Sequence, residues 1–244
     1  MIILPYRDFT MIASTQSLAT SLCISLAALL VGCSGGATYQ VKYEQAEAAA
    51  RGGDYEKAIE LLNELAQTSK NPAVFGSRAN CYSSSGNLDA ALTDYQTAFD
   101  LANARTPNGT DPILPYLYYN RGVAYDRANK HQLAIADYEK TIQTRSDYPD
   151  VKNNLAWLLA TCPDSTVRNS KRAVELADQE LRRAPEDPST LDTVAACYAA
   201  ADDFPRATAT QEKAVSLCLD PAAKQRFQSR LDLYRNRKPF VDAE

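Results

Sequence analysis

The sequence predicts an all-α protein built from repeated pairs of helices, and three observations favour this fold class. A small residue, a second position three residues later and a further alanine recur in the same order five times along the 244-residue chain. Tyr is abundant at 14 residues and Gly is scarce at 9, which suits helical repeats better than a β-sandwich or a nucleotide-binding sheet. Turn-forming segments such as GGDYEKA and SGNLDAA separate the paired helices.

The first 32 residues are interpreted as a lipoprotein signal peptide. The segment from Leu18 to Gly32 carries no charge and is shorter than the roughly 20 apolar residues that a membrane-spanning helix needs. It leads into the sequence LVGC, ending at Cys33, which resembles the bacterial lipobox. The resemblance implies cleavage before Cys33 and lipidation of its thiol, followed by a short tether over residues 33–38. An ordinary signal peptide or an uncleaved anchor is the alternative.

Residues 39–220 are predicted to form the repeat array. In each unit a Gly or Ala is expected where the two helices touch, and a second alanine is expected near the start of the second helix. The small residues are Ala46, Ala79, Gly122, Ala156 and Ala195, and the second-helix alanines are Ala58, Ala91, Ala134, Ala173 and Ala207. This register resembles the tetratricopeptide-repeat (TPR) family, whose unit is two antiparallel helices in about 34 residues. The resemblance implies a right-handed superhelix of about five helix-turn-helix repeats.

Two segments interrupt the spacing of the units. Arg105–Pro115 is rich in turn formers and is predicted to be an inserted loop. Thr161–Asn169 lengthens the turn of the fourth unit by five residues. Residues 221–244 are predicted to be a C-terminal capping helix, at about Pro221–Asn236, and a tail.

No catalytic residue, metal site or cofactor is predicted. The single histidine, His131, lies in an interhelical turn, and no Ser-His-Asp or Cys-His set can be assembled without it. The six cysteines are scattered without a CxxC motif, which argues against a zinc site, although a bridge between Cys162 and Cys197 is one hypothesis. A net charge of -4 argues against a nucleic-acid partner.

A partner-binding groove is implied by the TPR resemblance, because the first helices of successive units line a concave face in that family. Helical phase places a set rich in Tyr, Asn and Trp on this face. The predicted partner-binding residues are Tyr43, Asn80, Tyr119, Asn120, Asp126, Asn153 and Trp157. Aromatic rings supply contact area and Asn can pair with the backbone of an extended peptide. The alternative is that Trp157 is buried against the next repeat and that the groove is merely solvated. The inserted loop Arg105–Pro115 is a second candidate surface.

Together these features predict a membrane-anchored scaffold that binds a protein or peptide in the bacterial cell envelope and catalyses no reaction. Ser34 after the lipobox cysteine is similar to lipoproteins sorted to an outer membrane, which implies a position on that membrane facing the periplasm. No small-molecule substrate is expected. The alternatives are a self-associating structural lipoprotein without a client, and a soluble secreted adaptor without the lipid.

Overall fold

The computed structural model describes residues 34–242, and the side chains from residue 38 onward. The predicted signal peptide and the lipidation site at Cys33 lie outside the described residues. Within them the chain forms eleven helices and no strand. In order they are α1 (Ser34–Arg51), α2 (Tyr55–Thr68), α3 (Pro72–Ser84), α4 (Leu88–Arg105), α5 (Leu114–Arg127), α6 (His131–Thr144), α7 (Val151–Thr161), α8 (Ser170–Arg183), α9 (Pro188–Ala200), α10 (Phe204–Leu217) and α11 (Pro221–Arg235).

The helices form five consecutive pairs followed by α11. We number the pairs as units, so that α1 and α2 form unit 1 and α9 and α10 form unit 5. Each helix packs on the next, and the first helices of units 1 and 2, of units 2 and 3 and of units 4 and 5 also contact one another. The predicted all-α repeat fold with a capping helix is therefore confirmed.

The predicted small residues lie where the two helices of each unit touch. Gly122 is buried, and a Cβ added to it would lie 2.9 Å from two carbon atoms of the Tyr138 ring. The other small residues and all five second-helix alanines are 0 % exposed; they are Ala46, Ala79, Ala156 and Ala195, with Ala58, Ala91, Ala134, Ala173 and Ala207. Since a side chain larger than that of alanine would separate the helices, this contact explains why Gly or Ala recurs in register.

In most units a residue with left-handed backbone stands two positions after the end of the first helix. These residues are Gly53, Gly86, Asn129 and Asp202, with φ of 82°, 85°, 56° and 61°. The following N–H then bonds back to a carbonyl five residues earlier, as in Asn87 to Tyr82 at 2.8 Å. In unit 4 the N–H of Asn169 makes the equivalent bond to the carbonyl of Leu159 at 2.9 Å. The five extra residues of that turn therefore loop out without changing where the second helix starts.

A bidentate ion pair joins the two helices in each of units 2 and 3. Nε and Nη2 of Arg78 each lie 2.7 Å from the carboxylate oxygens of Asp94. Arg121 and Asp137 make the same pair at 2.7 and 2.8 Å, with side chains 21 % and 6 % exposed. Each arginine directly precedes the small residue, and each aspartate follows the second-helix alanine by three positions. The pairs therefore occupy one repeated position in the fold.

Unit 4 places two leucines at this repeated position. Leu155 directly precedes Ala156, and Leu176 follows Ala173 by three positions. Both leucines are buried, at 0 % and 1 % exposure. The same helix contact is therefore built with a charged pair in two units and with an apolar pair in a third.

Candidate partner-binding surface

Tyrosine hydrogen bonds join successive first helices along their shared face. Between α1 and α3, the hydroxyl of Tyr43 lies 2.8 Å from Oγ of Ser77. Between α5 and α7, Nδ2 of Asn154 donates to the hydroxyl of Tyr119 at 3.1 Å. Each tyrosine stands three positions before the small residue of its unit, and each partner stands two positions before the small residue of the next. The same bond thus recurs in alternate interfaces, and we call this set of bonds the tyrosine ladder.

The interface between α3 and α5 is built differently because the tyrosine position of unit 2 is Gly76. A Cβ on Gly76 would lie 2.8 Å from Cδ2 of Leu117 and 3.2 Å from Cε1 of Tyr116. The ring of Tyr116 therefore approaches the backbone where a side chain is missing. Its hydroxyl accepts a bond from Nδ2 of Asn80 at 2.7 Å, and Tyr95 donates to Oδ1 of Asn80 at 2.5 Å.

Most of the predicted partner-binding residues are held by bonds within the chain. Tyr43, Asn80 and Tyr119 belong to the inter-unit bonds described above, and burial raises the pKa of both tyrosines above the usual range. Nδ2 of Asn120 donates to the backbone carbonyl of Tyr116 at 2.8 Å. Oδ1 of Asp126 lies 3.3 Å from Nδ1 of His131, which is the first residue of α6 and not a turn residue as the sequence predicted. Their polar atoms help to build the array, and a direct role in binding a partner remains a prediction.

Asn153 occupies the tyrosine position of unit 4. Its Oδ1 is buried and accepts no hydrogen bond from the part of the chain that the structure describes. The facing position in unit 5 is Thr193, which is also buried. The tyrosine ladder therefore ends at α7, and the contact between α7 and α9 is made by other side chains.

A C-terminal segment of the chain packs against Trp157. Beyond α11, residues 238–242, which we call the tail segment, run back to α7. The ring of Phe240 lies over Trp157 with the ring centroids 5.7 Å apart. Nε1 of Trp157 donates to Oδ2 of Asp242 at 3.3 Å, and the N–H of Asp242 donates to the carbonyl of Thr161 at 2.8 Å. Trp157 is therefore half-buried, and a segment of the same chain covers it.

Arg230 of α11 forms the other wall of this site. Its guanidinium carbon lies 5.3 Å from the ring centroid of Trp157 and 5.2 Å from that of Phe240. The guanidinium is fixed from behind by a bidentate bond to Asp192 at 2.8 and 2.7 Å, and Gln211 donates to the same carboxylate at 2.7 Å. Because a cation attracts the face of an aromatic ring, this guanidinium beside Trp157 favours an aromatic occupant at this place. We call Trp157, Thr161 and Arg230 the Trp157 site.

The inserted loop, the second candidate surface, is fastened by Asp111. This carboxylate is 0 % exposed and accepts bonds from Nε and Nη2 of Arg105 at 2.6 and 2.7 Å. It also accepts the backbone N–H of Ile113 at 3.0 Å. The bonds from Arg105 hold the pKa of Asp111 below its usual value. One buried carboxylate therefore ties both ends of the loop.

We expect Asp111→Asn to lower the free energy of unfolding by about 1 kcal/mol at neutral pH, because a charge-assisted bond is weakened. The folded pKa is depressed, so this stabilisation is present above the unfolded carboxyl pKa of about 4 and is lost as the pH falls through the folded value. Urea unfolding of wild type and variant between about pH 3 and pH 7 measures the difference. Asp147→Asn is the control, since that side chain is 81 % exposed. A difference for Asp111→Asn that does not change with pH would contradict the assignment.

The remaining chemistry of the described residues is sparse. Cys81, Cys162, Cys197 and Cys218 are buried free thiols, so the hypothetical bridge between Cys162 and Cys197 is not formed. The thiol of Cys197 instead points to the carbonyl of Ala156 at 3.6 Å. Over residues 34–242 no cluster of His, Cys, Asp or Glu side chains is suited to a metal ion. None of the described helices combines the length and apolar character that crossing a membrane requires.

The chain is similar to known proteins in part of its sequence and in its fold. Residues 72–147, which contain α3 to α6, match the tetratricopeptide repeat model. The C-terminal part of a TPR repeat-containing protein from Cytophaga hutchinsonii is similar, with a TM-score of 0.59 and 18 % identity over 80 % of this chain and 71 % of that one. So is a tetratricopeptide repeat protein from Parabacteroides merdae, with a TM-score of 0.59 and 19 % identity over 91 % and 79 %.

A putative kinesin light chain with TPR-like repeats from Podosopora anserina has the same TM-score of 0.59 and 20 % identity, over 73 % of this chain and 93 % of that one. A search of curated proteins finds no match to this chain. At these identities the structural likeness supports the fold alone, and the match to the family model covers only units 2 and 3. This chain therefore has the fold of the tetratricopeptide-repeat proteins, and its second and third units match the sequence model of that family.

Proposed function

We propose that this chain is a scaffold that binds a segment of another protein along the first helices of its array, while Cys33 fixes it to a membrane of the cell envelope. The TPR fold supports the first part, because stacked repeats present an extended surface to protein partners and generally act as adaptors without catalysis. The observation that carries the proposal is the tail segment on α7. This contact supports the ability of the α7 surface to hold an extended segment. It does so through a ring contact, a backbone hydrogen bond and a bond from the indole N–H to a carboxylate of the segment.

The placement of the polar residues narrows where recognition would occur. The tyrosine ladder and the bond between Asn80 and Tyr116 use hydroxyl and amide groups of units 1 to 4 for contacts between units. At α7 the ladder ends, and an indole N–H and a helix-terminal carbonyl face a segment that is not part of the repeat array. We therefore place the main partner contact at the Trp157 site and keep Tyr119 of the neighbouring unit as a second predicted contact.

The membrane anchor rests on the sequence alone. Cys33 follows an apolar segment that resembles a lipobox, and α1 begins at the next residue. With acyl chains on Cys33, the array would start within about one helical turn of the lipid surface. A scaffold held in this way would keep its partner close to the membrane.

The anchor is tested by labelling cells with a palmitate analogue. We expect the wild-type chain to take up the label and to fractionate with membranes, and Cys33→Ser to do neither. Label on the Cys33→Ser variant, or its absence from the wild type, would remove the lipid anchor from the proposal and favour a secreted adaptor.

Partner binding is tested by a crosslinked pull-down with mass spectrometry from membranes. We expect a defined partner with the wild type, its loss with the double variant Trp157→Ala/Tyr119→Ala, and its retention with Leu133→Ala, an exposed residue on a second helix. Circular dichroism shows whether the double variant is folded. A partner that the double variant retains would place recognition elsewhere. If no partner is recovered and the mass of the protein rises with concentration, the self-associating alternative is favoured.

A further inference from the structure

The tail segment shows which peptide chemistry fits the Trp157 site. In an extended chain, residues two apart lie on the same side. Phe240 and Asp242 accordingly both contact α7, whereas the intervening Val241 is 41 % exposed. The segment therefore presents an aromatic ring and, two residues later, a carboxylate to one face.

We propose that the Trp157 site recognises partner segments with the pattern aromatic-any-acidic, and that Phe240-Val241-Asp242 occupies the site as a built-in competitor. This inference rests on the proposed binding function, and it names the class of peptide recognised. The occupant is an extended peptide of another protein, and the tail must leave before that peptide can bind.

Each part of the pattern has its own recognition group. The aromatic ring contacts both Trp157 and the guanidinium of Arg230, at 5.7 and 5.2 Å, and these two groups are themselves 5.3 Å apart. An aliphatic side chain could fill this space but would gain nothing from the adjacent cation. The carboxylate accepts the indole N–H of Trp157. The carbonyl of Thr161, in the last turn of α7, accepts a backbone N–H from any sequence.

The tail segment is held firmly at its base and lightly beyond it. Just beyond α11, Arg237 adopts the left-handed conformation at φ 55°, and the N–H of Lys238 donates to the carbonyl of Leu233 at 3.0 Å. Lys238 and Pro239 are exposed, so the segment is secured on α7 mainly by Phe240 and Asp242. A segment with so few buried contacts opens without unfolding the array behind it.

Tethering makes the segment an effective competitor despite these few contacts. A short flexible connection maintains an effective concentration on the order of 1 mM at its site. If the free segment binds with a Kd of about 0.1 mM, the tethered segment weakens a competing peptide by about tenfold. Removing the tail contact should therefore increase the apparent affinity for an external peptide by a similar factor.

The experiment uses the full-length chain in detergent and the capped synthetic peptide RKPFVD, which corresponds to residues 237–242. Fluorescence anisotropy of the labelled peptide measures the Kd. We expect about tenfold tighter binding to Phe240→Ala than to wild type, and wild-type affinity for Val241→Ala, the matched control. The peptides RKPAVD and RKPFVA should bind Phe240→Ala at least about tenfold more weakly than RKPFVD, because the first lacks the aromatic ring and the second lacks the acceptor for the indole N–H of Trp157.

Trp157 provides an independent readout, because it is the only tryptophan in the chain. We expect the emission maximum of Trp157 to shift to the red in Phe240→Ala and to return to the wild-type wavelength when RKPFVD is added. The helical circular dichroism should not change. Equal Kd values for wild type and Phe240→Ala, or undiminished binding of RKPAVD, would overturn the proposal, as would the absence of binding to either protein. A partner that is still lost in Trp157→Ala/Tyr119→Ala would then leave the scaffold function standing with a different peptide preference.

Asp242→Ala tests the other half of the pattern. It keeps Phe240 on Trp157 but removes the carboxylate, so we expect RKPFVD to bind it more tightly than wild type and more weakly than Phe240→Ala. Binding identical to that of the wild type would show that the carboxylate does not contribute to holding the tail.

Discussion

Asp137→Ala is expected to lower the free energy of unfolding by about 3 kcal/mol, because it leaves the guanidinium of Arg121 largely buried without its carboxylate. The double variant Arg121→Leu/Asp137→Leu should recover at least half of that loss, since Leu155 and Leu176 make the same helix contact in unit 4. Recovery is expected to be incomplete because Arg121 also lies 4.5 Å from the ring centroid of Phe99.

Urea unfolding followed by circular dichroism measures both values. Asp147→Ala is the control, because its pair with Arg145 is exposed and such pairs contribute about 0–1 kcal/mol. If the double leucine variant were as unstable as Asp137→Ala, the two positions would not be interchangeable between units. The buried pair would then have a role in unit 3 that apolar packing cannot replace.

Gly122→Val is expected to destabilise the protein by about 3 kcal/mol, at the upper end of the range for overpacking a core. A Cβ at this position already lies 2.9 Å from the Tyr138 ring, and valine adds two methyl groups between α5 and α6. Gly122→Ala is the matched control and should stay within about 1 kcal/mol of wild type, because the gain in helix propensity offsets a small movement of the ring. Unit 2 supports this, since Ala79 and Tyr95 occupy the same two positions there.

The same unfolding experiment decides between two explanations of the small residues. A large loss for valine together with a small effect for alanine means that helix separation sets the limit on size. A similar, small effect of both substitutions would mean that Tyr138 can move away freely, and that contact between α5 and α6 does not require a small residue.

The architecture was predictable because it depends on local and repeated requirements. A small residue is needed wherever two helices touch, and a turn former is needed wherever the first helix ends. Ala79 and Gly86 meet these two needs in unit 2, and Gly122 and Asn129 meet them at the same spacing in unit 3, so the sequence shows the pattern directly. The lengthened turn of unit 4 was visible for the same reason, since it displaces Ala173 from the register of the other units.

The side-chain partners were not predictable in this way. Helical phase placed Tyr119 and Asn80 on the first-helix face, but it could not show that a neighbouring unit would supply a partner for each. The ion pairs did leave a signal, because Arg121 and Asp137 repeat the positions of an equivalent pair in unit 2. The contact of Phe240 with Trp157 left no such signal in the sequence, because it depends on the direction that the chain takes after α11.

The tyrosine ladder also constrains how an array of this kind can gain or lose repeats. Tyr43 in unit 1 and Tyr119 in unit 3 occupy corresponding positions, whereas the corresponding residue of unit 2 is Gly76, which has no side chain. Loss of units 2 and 3 together would bring Tyr43 opposite Asn154, recreating the bond that Tyr119 makes now. Loss of unit 3 alone would remove Tyr116 and leave Gly76 facing a gap. In this stretch of the chain, a duplication or deletion preserves the contacts between units only if it involves a pair of repeats.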